Sequence, residues 1–461
     1  MKAVARHDDW IRVMLVVLMI LPIAVLFLLP GGAIMMGVFW FWPLLLLGVW
    51  LLWLGIGAAP EPVAAEPTAA TVAAPVAPPL APPVAAEPPD AVRDVMEVRA
   101  AEVAPGGAMV FRGPLKVDSE TAFKRLKGSL EGRGVPLLRA DDTFGAAIVL
   151  VPPELVEPRE RARKRRRRAS PWVNWLLFAL TIVTTTWAGA AQAGADVLRH
   201  PASIAAGLPY AVGLIAILGI HELGHYFTAK YHGMDVTPPF FIPVPFALGT
   251  FGAFIRMRST PENRKALFDV AVAGPLAGLV VAVPVLLVGL RSSTIVLAPT
   301  PADAMQLGTG TSVGSSILFA LLAKLSMGQA LQYGGCVVKL SPLAFAGWLG
   351  LFITALNLLP IGQLDGGHMA QAMFGGRAGR VISLIAMWTL FLLALFVWPG
   401  LFLFAIVVFF LAAGGGEPPL DDVTPVTPGR RLLGELMFLV LVLILAPLPR
   451  SLWSAVGIHC P

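Results

Sequence analysis

The sequence predicts an all-α polytopic membrane protein of about nine spans. It adds a membrane-associated β-hairpin or re-entrant segment and a small cytoplasmic α+β domain. Three observations carry that prediction. Only 13% of the 461 residues are charged and 57% are hydrophobic, where soluble chains carry about 25% charged residues. Nine stretches approach the roughly 20 apolar residues that a helix needs to cross a hydrocarbon core of about 30 Å. They lie near 11–29, 38–56, 172–190, 204–227, 266–290, 342–360, 380–398, 400–413 and 432–449. Finally, residues 236–258 are apolar but broken by Pro238, Pro239, Pro243 and Pro245, so they cannot form one clean helix.

Residues 1–56 hold the first two spans and read as an N-terminal transmembrane hairpin. The first apolar stretch is long for a cleaved signal peptide, and a Trp-rich span follows at once. Residues 57–90 are almost wholly Ala, Pro, Val and Glu, a composition that makes an extended, semi-rigid linker. Residues 91–157 regain soluble composition and read as a small α+β domain. There Met109–Val117 is a strand, Asp118 or Ser119 caps a helix to about Glu131, and Val135–Arg139 and Ala146–Val151 form a hairpin. The basic run Arg161–Arg168 falls in the juxtamembrane segment 158–171. Its position just before Trp172 favours attraction to anionic lipid over nucleic-acid binding. With the N-terminus cytoplasmic and every span crossing, 29 of the 34 Lys and Arg fall on the cytoplasmic side, as the positive-inside rule requires. The net charge of +6 therefore needs no nucleic acid.

Chemistry concentrates in 172–398, which reads as the catalytic core, with 399–461 as C-terminal spans. The span 204–227 ends in His221-Glu222-Leu223-Gly224-His225. Two histidines four residues apart share a helix face and can reach one zinc ion, while Glu222 sits where a general base for water is needed. From 7 His and 14 Glu in 461 residues, such a match is expected by chance about 0.003 times. Without a metal these polar groups would be costly so deep in apolar sequence. A catalytic zinc wants a third protein ligand. Asp365, in the stretch Asn357–Gly367, follows the span 342–360, where Pro360 ends the helix and Gly366-Gly367 permit a turn. Asp269, at the start of the span 266–290, is a rival, and His368 a lesser one.

HELGH on one helix and NLLPIGQLDGG on a later one resemble the site-2 protease family of intramembrane zinc metalloproteases. The stretch from Phe240 to Gly278 is similar to the subgroup of plant chloroplast and bacterial homologues, many with a soluble N-terminal region instead of a PDZ module. The resemblance implies that His221, His225 and Asp365 ligate Zn²⁺, that Glu222 is the general base, and that Asn357 holds substrate or stabilises the oxyanion. It also implies a membrane-protein substrate, cut within a transmembrane helix as in regulated intramembrane proteolysis. With the orientation above, the protein would sit in the cytoplasmic membrane with its site toward the cytoplasm.

The broken segment 236–258 fits that chemistry, since a hairpin turning near Leu248–Gly252 would offer an edge to an unwound substrate. The Gly274–Gly278 pair reads as a helix-packing motif. Gly310–Gly314 matches the serine-hydrolase elbow but lacks the strand–turn–helix context. Cys336 and Cys460 both fall outside in this topology and could pair, and they exclude a Cys₄ zinc site. The rival functions are an ion-coupled transporter using buried His, Glu and Asp, and a non-proteolytic relative that binds membrane helices. No internal repeat favours the first, and the intact Glu222 argues against the second.

Overall fold

The computed structural model describes residues 87–104, 107–130, 134–152, 171–245, 248–297, 310–311, 316–328, 336–396, 405–406, 408–409, 418–446 and 448. The expected spans 11–29 and 38–56, most of the linker, nearly all of the basic segment and most of 400–413 lie outside them.

Residues 90–151 form an antiparallel sheet covered by helices. In order these are α1 (Asp90–Val95), β1 (Ala100–Val103), β2 (Met109–Gly113), α2 (Ser119–Ser129), β3 (Val135–Asp141) and β4 (Gly145–Val151). The strand order is β1-β2-β4-β3. Asp118 caps α2, its carboxylate accepting a hydrogen bond from Thr121 N–H at 2.8 Å. That bond holds the Asp118 carboxyl below the usual carboxylate range. Ala122, Phe123 and Leu126 pack beneath the helix against Phe111, Leu138 and Ile148 of the sheet. The β2 strand ends at Gly113, short of the expected Val117, because Pro114 lacks the N–H that would extend the ladder.

The apolar part begins with α3 (Pro171–Gln192), a 3₁₀ turn (Pro201–Gly207) and α4 (Leu208–Tyr231). After β5 (Phe240–Pro243) and β6 (Thr250–Phe254) come α5 (Arg264–Arg291) and β7 (Thr294–Leu297). Next are β8 (Gly310–Thr311), α6 (Ile317–Met327), β9 (Cys336–Lys339), α7 (Pro342–Leu358), α8 (Asp365–Phe374), α9 (Gly376–Phe396) and α10 (Pro428–Leu445). Among the described residues four helices are long and apolar enough to cross a membrane: 172–192, 201–231, 264–291 and 376–395. The α7 helix, expected as a span, has 17 residues and so reaches about 25 Å. Asn263 caps α5, accepting from Ala266 N–H at 2.8 Å, and Ser341 caps α7 with Pro342 next to it.

Helices α4, α5 and α7 form the core. Backbones come close where side chains vanish: a Cβ on Gly347 would lie 2.5 Å from Leu286 N, and one on Gly350 would press on Ile217. The three-stranded sheet β7-β9-β8 was not foreseen, and it places Cys336 opposite Leu297. Gly310 and Thr311 of the serine-elbow match lie in β8, while Ser312 and Cys460 fall outside the described residues.

The sheet domain is tied to the helical core by residues 420–422. Leu138 N–H donates to Leu420 O at 2.8 Å and Asp422 N–H to Leu138 O at 3.0 Å. On the other side, Leu420 N–H donates to Pro261 O at 3.0 Å and Asp421 N–H to Glu262 O at 2.9 Å. This short segment thus bridges β3 and the approach to α5.

Candidate metal centre

His221 and His225 sit two turns before the end of α4, both buried. Their spacing stacks the imidazoles on one face, with ring centroids 4.9 Å apart. The His225 Nδ1–H donates to Val270 O of α5 at 2.7 Å. In the neutral ring this leaves the Nε2 lone pair facing the site. Asp365 arrives from the far side. Pro360 stops α7, and the chain turns at Gly362, whose φ of +51° suits glycine. Asp365 then opens α8, where a helix N-terminus favours an acid. The turn falls at Gly362 rather than at Gly366-Gly367, as sequence reasoning had it. Those two glycines lie inside α8, where a Cβ would strike Leu358 O at 2.0 Å and Gly362 O at 2.4 Å.

The result is a small triangle. His225 Nε2 lies 3.2 Å from His221 Nε2, and Asp365 Oδ2 lies 3.4 Å from His221 Nε2 and 3.3 Å from His225 Nε2. Ligand atoms on zinc at about 2.0–2.1 Å in tetrahedral geometry are separated by about 3.3–3.4 Å. The donor set therefore matches zinc in both type and spacing. Asn357 on α7 completes one side, its Nδ2 3.3 Å from His221 Nε2. Glu222 accepts a hydrogen bond from Ile255 N–H at 2.8 Å. His221, Glu222, His225, Asn357, Asp365 and His368 line one cavity of about 300 Å³.

Asp269 is not part of this group. Its carboxylate is held bidentately by Arg430 at 2.7 Å for both contacts, and His232 Nε2 lies 3.0 Å from Oδ2. The Gly274–Gly278 pair serves the expected packing of α5 against α4, and does so at the two histidines. A Cβ on Gly274 would stand 2.1 Å from His225 Nε2, and one on Gly278 3.1 Å from His221 Nδ1. Both glycines leave room for the imidazoles. Sequence reasoning missed this, although their i, i+4 spacing matches that of the histidines.

The β5–β6 hairpin closes over the site. Phe240 pairs with Phe254 and Phe241 with Ala253, with a register shift before Pro243 and Thr250. Because β6 already starts at Thr250, Gly252 lies in the strand and not in the expected turn, and Val244 N–H donates to Gly249 O. Thr184 of α3 donates to Gly249 O at 2.7 Å and Tyr210 of α4 to Leu248 O at 3.0 Å, so two helices pin the tip. Among the described residues no third strand joins this sheet.

The model of Peptidase family M50 matches residues 209–397. The probable zinc metalloprotease EGY2 of Arabidopsis thaliana, described as chloroplastic, is 30% identical over 358 residues, covering 74% of this chain and 61% of that protein. The probable chloroplastic zinc metalloprotease EGY1 of the same plant is 29% identical over 389 residues, covering 77% of this chain and 68% of that protein. The corresponding EGY2 of Oryza sativa subsp. indica is 28% identical, with 74% and 62% covered. The chain thus spans between about three fifths and two thirds of the length of these curated relatives. No solved structure matches it. The matched residues 209–397 run from the start of α4 through Asp365 to the end of α9, so the part of the chain that is similar to Peptidase family M50 is the part that holds the candidate metal centre.

Proposed function

We propose that the chain is a zinc-dependent endopeptidase that hydrolyses a peptide bond within a membrane-spanning segment of another protein. The observation that carries the reading is the triangle of His221 Nε2, His225 Nε2 and Asp365 Oδ2, whose 3.2–3.4 Å edges fit zinc. Zinc, when bound by these three, would supply the Lewis acidity that polarises the scissile carbonyl and acidifies water.

The chain's own residues do the rest. Glu222 takes the proton from the attacking water and passes it to the leaving amine. Its bond from Ile255 N–H keeps it beside the end of β6. Val270 O fixes the tautomer and ring plane of His225. Asn357, held against His221, is placed to steady the substrate carbonyl. A helix hides its peptide bonds, so the substrate must be unwound, and an extended strand can add to the open edge of the β5–β6 hairpin.

The same reading carries the finer organisation. About nine spans cross the cytoplasmic membrane, the 91–157 domain and the catalytic site face the cytoplasm, and the basic segment at 158–171 lies on anionic lipid. Cleavage near that face would free a soluble fragment, as in regulated intramembrane proteolysis. The test is co-expression with tagged single-span substrates, with metal analysis of the purified protein. Cleavage and about one zinc per chain are expected. Cleavage surviving in Glu222→Gln, or full zinc content in His221→Ala, would overturn the proposal.

A further inference from the structure

A second cavity, of about 1390 Å³, lies between the sheet domain and the helical core; it shares no lining residue with the cavity of the candidate metal centre. Its polar end is lined by Arg139 of β3, Arg264 at the start of α5, and Arg377 and Arg380 in the first turns of α9. Arg264 is 8% exposed, its Nε–H donating to Ala372 O at 2.7 Å. Arg139 Nη1 is held by Pro419 O at 2.6 Å. Their guanidinium groups are therefore fixed by the fold. Two acids share the lining. Asp142 pairs with Arg377 at 2.7 Å, and Asp422 has one buried oxygen, Oδ1, without a hydrogen-bond partner among the described residues. With the buried Asp421, whose charge also acts on Arg139 and Arg264, four arginines face three carboxylates, and the end stays positive by one charge.

The other end of the cavity is apolar. Val381, Leu384 and Met387 of α9, with Phe409, continue the wall along a helix long enough to cross a membrane. Val381 and Leu384 are more than half exposed in the protein alone. A soluble anion would use the arginines but leave this wall uncovered. An amphiphile with a phosphate at one end and hydrocarbon at the other covers both, and basic pockets between helices near the cytoplasmic face are where such headgroups bind.

From this juxtaposition we infer that the cavity binds one anionic phospholipid. Its phosphate lies on Arg377 and Arg380, and an acyl chain along Val381, Leu384 and Met387. Because the walls come from β3, α8 and α9, the bound lipid joins the sheet domain to the helix that opens with Asp365.

The experiment uses the purified full chain, delipidated and then exposed to phosphatidylcholine vesicles doped with phosphatidylglycerol, with retained lipid counted by native mass spectrometry. Wild type is expected to keep one phosphatidylglycerol per chain. The Arg377→Ala/Arg380→Ala double variant should lose about tenfold or more of that retention. Arg377 is largely exposed, so the change spares the fold. A control with the same charge loss, Arg99→Ala/Arg199→Ala, should keep it. Equal retention in the pocket variant, equal loss in the control, or equal retention of phosphatidylcholine would overturn the assignment. Displacement of the lipid by millimolar inorganic phosphate would show a soluble anion to be the occupant and equally overturn it.

Discussion

Glu222 Oε2 and the backbone N–H of Ile255 are joined by a 2.8 Å hydrogen bond, which links the proposed general base to the residue just after β6. A glutamine at 222 can still accept that bond but cannot take a proton from water. Glu222→Gln should therefore keep the zinc content and the hairpin while cleavage falls about 10²–10⁴-fold. Metal analysis and a gel-based cleavage assay on the same preparation check both halves.

The two candidate third ligands can be separated directly. Asp365→Ala should lose zinc, because the triangle is left with two corners. Asp269→Ala should retain it. That change instead strands Arg430 and His232, lowering stability by about 1–2 kcal/mol. Zinc content and a thermal melt distinguish the two variants.

Gly274 and Gly278 predict a graded response. A methyl at 274 collides with His225 Nε2 at 2.1 Å, and the ring cannot swing away without breaking its bond to Val270. Gly274→Ala should strip most of the zinc. At 278 the nearest contact is 3.1 Å, so Gly278→Ala needs only a small shift and should keep most of it. Equal zinc in the two variants would contradict the packing described here.

The sheet domain is held to the core partly by charge. Glu120 of α2 receives Lys265 at 2.7 Å, and Lys127 meets Glu262 at 2.9 Å. The hydrogen bonds from Lys265 and Lys124 hold the Glu120 carboxyl below the usual carboxylate range. A carboxyl depressed in the folded state stabilises the docked form above its unfolded pKa, and the benefit fades as pH falls through the folded value. Protection of the domain from added protease should therefore be flat near neutrality and drop in acid below the ordinary carboxylate range. Glu120→Lys or Lys265→Glu alone should reduce protection at neutral pH, and the double reversal should restore part of it.

What could be read in the sequence was what is local or strongly periodic. HELGH fixes its own geometry because one helical turn brings residues i and i+4 together, and capping residues such as Asp118 announce α2. Asp365 needed the family pattern, since its approach to the histidines depends on the turn at Gly362. Contacts between distant segments left no local trace. Arg430 reaches Asp269 across 161 positions, and nothing near either residue marks the pair. The β7–β9 pairing joins strands some 40 residues apart, each too short to show a clear alternation. Asp421 looks like an ordinary loop acid, yet it is 2% exposed and bridges both Leu138 and Asn263.

That bridge orders events in time. The last strand of the sheet domain ends at Val151, while its tether at 420–422 is made roughly 270 residues later. At translation rates of about 5–20 residues per second, the interval is about 15–50 s. During it the ribosome delivers HELGH, the hairpin and Asp365, so every residue of the candidate metal centre exists before the 420–422 tether can be made. A newborn chain thus passes through a stage in which the candidate metal ligands are all present and the sheet domain has its ion pairs to Glu262, Lys265 and Arg377 but not yet that tether.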